Sequence, residues 1–247
     1  NGASNADIPY EVLTELIPYQ GKTEFEPNDQ RVDATPFSGD SITGMIAPEG
    51  DQDWDKNSVA DEVRQILSAS ATGVDGLDLT LRVADSLGNT ILTIDNAGKG
   101  QPETLTSLGV TKGDYYLIIS EKTGRKANSD QTYTLSKSLV TWQPGLEYEL
   151  NDSTSAVQQI KIGEAVDGYF GWQGDVDVYE FNVYNKGRVI FELAGVINVQ
   201  PVATLFDQES NELQTWTAGK VGDSLIFEKY LEPCTYALLL NQAKYEQ

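Results

Sequence analysis

Glu24-Phe25-Glu26-Pro27-Asn28-Asp29 returns 123 residues later as Glu147-Tyr148-Glu149-Leu150-Asn151-Asp152. Each copy leads to a second acidic cluster, Gly50-Asp51-Gln52-Asp53 in one half and Gly174-Asp175-Val176-Asp177 in the other. Further matches keep nearly the same offset: Asp85 with Asp207, Asn89 with Asn211 and Ile91 with Leu213 at 122, Tyr116 with Tyr236 at 120. A drift of two residues at a time fits length changes in connections, where insertions cost least. The pattern reads as a tandem duplication. Its boundary is expected near residues 139–146, where Trp142-Gln143-Pro144-Gly145 supplies turn chemistry.

Between these landmarks the chain reads as all-β. Short alternating or apolar runs, bounded by Gly, Asn, Asp and Pro, recur at roughly ten-residue spacing. In the first half they are Gln65–Ser70, Asp78–Ala84, Thr90–Ile94, Tyr115–Ser120 and Thr132–Ser136. In the second they are Val178–Val183, Arg188–Leu193, Val202–Phe206, Leu225–Phe227 and Tyr236–Leu240. Ser86-Leu87-Gly88-Asn89 and Gln208-Glu209-Ser210-Asn211 read as matched turns. Helical periodicity is nowhere sustained, and Glu11–Ile17 has room for a turn or two. The expectation is two tandem antiparallel, jelly-roll-like β-sandwiches, over residues 23–140 and 141–247, behind an N-terminal extension of residues 1–22.

Composition excludes several functions. Of 247 residues, 17 are Lys or Arg and 38 are Asp or Glu, a net charge of −21. Residues 23–140 hold 19 acids and 10 bases, residues 141–247 hold 16 and 6, so the acid is evenly shared. Nucleic acid is not an expected partner, because its recognition needs clustered Lys and Arg. An anionic membrane surface is disfavoured for the same reason. No run approaches the ~18 apolar residues of a transmembrane span. There is no histidine, which removes His-dependent acid–base catalysis and His-ligated zinc. The single cysteine, Cys234, reads as a small apolar residue buried in a strand.

These residues resemble the bacterial pre-peptidase C-terminal domain family, which includes the collagen-binding domains of clostridial collagenases. The family pattern opens with E-x-E-P-N-D, continues through an Ala and a Gly, and reaches an acidic D-x-D-x-Y/F-x-F strand. It then passes a D-x-x-G-N-like turn and ends on a G-x-Y-x-L/V strand. Glu24–Asp29, Ala34, Gly44, Asp51, Asp53, Asp85–Asn89 and Gly113–Ile119 follow it in the first half. Glu147–Asp152, Gly168, Asp175–Val183 and Tyr236–Leu240 follow it in the second. Three positions depart from the pattern. Leu150 replaces the proline, Asp55 and Asn57 stand where the second half has Tyr179 and Phe181, and Pro233 lies where the first half has Gly113. The strand after Asp53 is therefore expected to be irregular.

Glu24, Glu26, Asp29 and Asp53 would repel one another if brought together without a cation. With the Asn28 carbonyl they make the hard-oxygen set that Ca²⁺ takes, six to eight ligands at flexible geometry. The resemblance implies the same: Glu24, Glu26, Asn28, Asp29 and Asp53 would serve a first structural calcium site. Glu147, Glu149, Asn151, Asp152 and Asp177 would serve a second, with Asp51 and Asp175 as weaker candidates. The competing reading is solvated loop acids.

The function expected from the resemblance is a non-catalytic, exported binding or accessory protein, attached to an extracellular polysaccharide, a matrix protein or the cell surface. Tyr115, Trp142, Trp172 and Trp216 are weak candidates for ligand contact, with a packing role the alternative for each. No motif singles out collagen. The second reading is a processing or folding appendage of a secreted peptidase. A glycosidase using paired carboxylates ranks below both, so the chain is not expected to be an enzyme. Localisation is expected to be extracellular, periplasmic or at the cell surface, with a leader or lipid anchor belonging to a precursor.

Overall fold

In the computed structural model the described residues are 11–15, 22–153, 155–172 and 174–243. Apart from one 3₁₀ turn at Arg31–Asp33, every regular element among them is a strand. The first half contributes β1 (Thr35–Pro36), β2 (Ser41–Gly44), β3 (Gln52–Val59), β4 (Gln65–Ala71), β5 (Leu79–Ala84), β6 (Thr90–Ile94), β7 (Glu103–Val110), β8 (Gly113–Glu121) and β9 (Tyr133–Thr141). They form a sheet of order β1-β3-β8-β5-β6 and a second of order β2-β9-β4-β7. The second half contributes β10 (Gln158–Gln159), β11 (Val176–Val183), β12 (Gly187–Leu193), β13 (Pro201–Phe206), β14 (Glu212–Thr217), β15 (Leu225–Leu231) and β16 (Cys234–Gln242). Their sheets are β10-β11-β16-β13-β14 and the two-stranded β12-β15. Apart from the short β1–β3 and β10–β11 pairs, which are parallel, the ladders are antiparallel.

The strands exist because alternate residues enter a core. In β5 Leu79, Leu81 and Val83 are buried while Thr80 and Arg82 are partly exposed, the period-2 pattern of a sheet with one wet face. Those residues pack with Leu67, Leu105, Leu117, Ile119, Tyr133 and Leu135 from both sheets of the first sandwich. The second core is smaller and more aromatic. Phe181 stacks on Tyr236 and meets Phe191 edge-on, and Phe227 stacks on both Phe191 and Trp216. The two predicted turns form alike: Asp85 accepts hydrogen bonds from the Leu87 and Asn89 amides, Asp207 from those of Glu209 and Asn211. Such Asx turns hold their own backbone.

Several expectations need correction. The strand after Asp53 is continuous over eight residues, and Asp53, Asp55 and Asn57 all point inward and are buried. Of these, Asn57 is bonded by Lys137 of β9, which also donates to the Phe37 carbonyl (2.7 Å) and lies over the Phe37 ring, while the Asp53 and Asp55 oxygens have no hydrogen-bond partner. Strands β7 and β14 lack a clear apolar alternation and were not expected. Each is completed by pairing to a neighbour, β4 and β13 respectively. Of the N-terminal stretch with room for a helical turn, Glu11–Glu15 has no regular structure, and residues 16 and 17 lie outside the described residues. Cys234 is half-buried at the start of β16 rather than sealed in the core.

Leu67 is fully buried between the sheets, so Leu67→Ala should destabilise by about 2–5 kcal/mol. Ile226→Ala, at an exposed position, should change stability by less than about 0.5 kcal/mol. Urea titration of both variants checks the pair.

Candidate metal centre

Each acidic phrase runs beside the acidic strand of its half, β3 or β11, held by backbone bonds that repeat between halves. The Trp54 amide donates to the Asn28 carbonyl (3.0 Å), and that of Val178 to Asn151 (2.9 Å). The Glu24 amide donates to Thr43 (2.8 Å), and that of Glu147 to Asp167 (3.0 Å). The phrase thus becomes a pseudo-strand whose alternate side chains face the acidic strand. The peptides preceding Pro27 and Leu150 are both cis.

In the first cluster, carboxylate oxygens of Glu24, Glu26 and Asp53 lie within 4.8 Å of one another. Glu24 accepts from the Met45 amide (2.6 Å) and from the Tyr133 hydroxyl (3.3 Å), and Glu26 accepts from the Asn28 amide (2.9 Å). Asn28 gives its side-chain NH₂ to Thr35 (3.2 Å), which leaves its Oδ1 buried without a partner. Both Asp53 oxygens are likewise buried and unpartnered. Asp29 is exposed and accepts from the Gln52 amide (3.4 Å) at the rim. Asp51, the weaker candidate, is buried and accepts from the Ala47 amide (2.6 Å).

The second cluster is deeper. Glu147, Glu149 and Asp177 form one group within 4.8 Å, and Glu149, Asp152 and Asp175 form another that shares Glu149. Glu147 accepts from the Tyr169 amide (2.6 Å), the Tyr179 hydroxyl (2.7 Å) and the Asn151 side chain (3.3 Å). Glu149 Oε1, Asn151 Oδ1 and Asp177 Oδ1 are buried with no hydrogen-bond partner. Asp175 is fully buried, bonded by the Gly171 and Val176 amides. It therefore belongs with the ligand candidates on the same footing as Asp152.

An orphaned buried oxygen costs about 1–3 kcal/mol, more if charged. None of the ion pairs among the described residues involves these acids. A hard cation would answer both deficits, and the donors are all oxygens, a set that suits Ca²⁺ rather than zinc. Burial, then the neighbouring Glu24, pushes Asp53 up to about 10. Burial, then Glu147, pushes Asp177 up to about 11. Glu149 rises to about 9 by burial and Asp175, while Asp51 and Asp175 rise to about 6 and 7, burial being the main cause in each. Glu24 and Asp152 are raised by burial too.

Two features escaped the sequence. The first is a pair of hydroxyl donors: Tyr133, from β9, and Tyr179, from β11, hold Glu24 and Glu147. They come from non-equivalent strands, so no offset relates them. The second is the reason for Gly44 and Gly168. A Cβ on Gly44 would overlap Glu24 and Tyr133, and one on Gly168 would lie 2.8 Å from the Tyr179 hydroxyl and 3.0 Å from Glu147.

The second cluster also touches the first sandwich. Glu149 pairs with the edge of β7, its amide donating to Ser107 (2.7 Å) and its carbonyl accepting from Gly109 (2.7 Å). Arg64 lies over the Tyr148 ring at 3.8 Å, and Asn96 donates to the Gly171 carbonyl (2.9 Å). The four aromatic contact candidates are all half-buried and packed. Tyr115 and Trp172 lie against the first core and Trp216 against the second, and Trp142 meets Tyr148 edge-on and donates to Leu146 (2.8 Å). More exposed rings are Phe25, Tyr169, Tyr184 and Tyr230.

No protein family pattern and no curated protein matches the sequence. Among solved structures, a pre-peptidase C-terminal domain of collagenase from Bacillus anthracis aligns at 18% identity and a TM-score of 0.34, over 42% of this chain and 94% of that one. The CUB1-EGF-CUB2 region of human MASP-1/3 aligns at 7% identity and 0.24, over 83% and 94%. Tripeptidyl peptidase 2 aligns at 12% identity and 0.26, over 81% of this chain and 20% of that one.

The raised carboxyls fix a pH dependence in the absence of divalent cations. Folded values above that of the unfolded chain mean that the folded protein binds more protons between the two. Their stabilisation is full below about 4 and is lost as pH rises through the folded values of about 6 to 11. Melting temperature in chelator should fall between pH 5 and pH 8. Asp53→Asn and Asp177→Asn should each flatten the fall and raise the pH 8 value.

Proposed function

We propose that the chain is a non-catalytic pair of calcium-stabilised β-sandwich modules of the pre-peptidase C-terminal type, spanning residues 23–140 and 141–247. The observation that carries this reading is the matched pair of oxygen clusters, part-buried in the first half and buried in the second, each with buried, unpartnered carboxylate and Asn oxygens. Glu24, Glu26, Asn28 and Asp53 hold the first ion, with Asp29 and Asp51 at its rim. Glu147, Glu149, Asn151, Asp152, Asp175 and Asp177 hold the second. The ion's chemistry here is charge neutralisation: it replaces mutual repulsion with coordination and ties each phrase to its sandwich. At the second site it also steadies the strand that pairs with β7.

The family type and the oxygen donors favour an exported setting, where calcium near 1 mM would fill sites of modest affinity. There the modules act as a binding unit for an extracellular polysaccharide, a matrix protein or the cell surface, or as an appendage of a secreted peptidase. A membrane-spanning helix is not among the described residues.

Calcium at ~1 mM acting on a site of Kd ~0.1 mM contributes about 1.4 kcal/mol. Melting temperature should therefore rise on adding calcium to chelated protein. Asp53→Asn and Asp177→Asn should each remove part of the rise, and the double variant all of it. Calorimetry with calcium, with magnesium as control, reads the same sites directly. Identical melting curves in calcium and in chelator would sink the reading.

A further inference from the structure

Two inward residues of β3 depart from their counterparts in the second half: Asp55 and Asn57 stand where β11 has Tyr179 and Phe181. Both are fully buried. Lys137 comes from β9, in the other sheet of the same sandwich, and its Nζ is in direct contact with the Asn57 carboxamide oxygen. The same Nζ donates to the Phe37 carbonyl (2.7 Å) and lies 4.4 Å from the centre of the Phe37 ring. None of the ion pairs among the described residues involves this ammonium. Burial pulls it below the ordinary lysine value, with Asp40 and Asp55 opposing the shift. A desolvated lysine of this kind holds more of its neutral, nucleophilic form.

Three groups meet here with needs the fold leaves unmet. The Asn57 Nδ2 is buried without an acceptor, and both Asp55 oxygens are buried without a donor. The Lys137 charge has no carboxylate in contact with it, which makes its burial costly. Asp55 precedes Asn57 by two residues on the same inward face of β3, about 7 Å along the strand, and its charge and that of Lys137 attract each other. One reaction removes all three deficits. Amide formation between Lys137 and Asn57 discharges the ammonium, expels the unpartnered NH₂ and presents a new N–H and carbonyl to the Asp55 carboxyl.

We propose that Lys137 and Asn57 join in an intramolecular isopeptide bond between β9 and β3, with Asp55 carrying the proton. Nζ of Lys137, as the free amine, attacks Cγ of Asn57 and forms the new C–N bond. Asp55 takes a proton from that nitrogen and passes it to Nδ2, so the Cγ–Nδ2 bond breaks and ammonia leaves. Amine plus carboxamide gives secondary amide plus ammonia, with nothing oxidised or reduced. An amide is a poor electrophile, and the fold supplies the proximity that makes attack on it feasible. A cavity of about 560 Å³, lined in part by Phe37, Asn57 and Lys137, gives the ammonia an exit. The bond ties the two sheets together through residues eighty apart in the chain. It restricts the unfolded state as a disulfide does, without depending on redox conditions. No residue of either acidic cluster takes part, so this reading stands apart from the cations.

Mass spectrometry of the denatured full chain should read the sequence mass less one ammonia. Trypsin should then release residues 57–64 joined to residues 127–161, because an acylated Lys137 is no longer a cleavage site. Lys137→Arg and Asn57→Ala should each carry their full sequence mass and melt at a lower temperature than the parent chain. Asp55→Asn keeps both reacting side chains and should also carry its full mass. If that variant cross-links as completely as the parent, the role given to Asp55 is overturned. A parent chain of full sequence mass overturns the whole proposal, whatever the variants do. So does an ammonia loss that maps elsewhere, such as a succinimide at Asn1-Gly2, with residues 127–137 and 138–161 released separately.

Discussion

Burying carboxylates costs free energy unless something of opposite charge is buried with them, and this protein buries them in two matched places. Asp53, Asp175 and Asp177 lie under the phrases that open each half, and Glu149 of the second phrase is buried with them. The protein's own hydrogen bonds satisfy only part of each cluster. Backbone amides and a tyrosine hydroxyl fix the glutamates at position one, Glu24 and Glu147. The oxygens left over belong to Asp53, Asn28, Glu149, Asn151 and Asp177. Geometry is thus set by bonds to the fold, while charge is left to be neutralised by something the sequence does not encode.

The two halves solve the same problem with different parts. In the first, the hydroxyl that orients the leading glutamate comes from β9, and β3 carries a buried acid, Asp55, raised to about 8 by burial and Glu24 and drawn down again by Lys137. In the second, Tyr179 stands in the place of Asp55 and supplies the hydroxyl itself. That exchange frees the second half from needing β9 for its cluster. It also replaces a polar interior by the stacked rings of Phe181, Tyr236, Phe191 and Phe227.

Position couples the second cluster to the rest of the molecule. The residues that converge on it also pair with β7 through Glu149, so the main chain of one residue belongs to the first sandwich and its side chain to the second cluster. Among the described residues the first phrase bonds β1, β2 and β3 of its own sandwich and the tyrosine of β9.

The sequence by itself determined the duplication, the all-β character and the identity of most clustered acids, because repeated spacing and period-2 alternation are local properties. It even located Asp85 and Asp207 as matched turn residues. Only the tertiary structure decided that the strand after Asp53 stays regular, since its whole length pairs with β8, some sixty residues further along the chain. Only it promoted Asp175 into the second cluster, drew Tyr133 and Tyr179 onto equivalent glutamates, and turned Tyr115, Trp142, Trp172 and Trp216 inward to packing. Charge in a motif can be counted along the chain. Burial, and the partners that remain missing after it, are produced by segments that meet only when the sheets close.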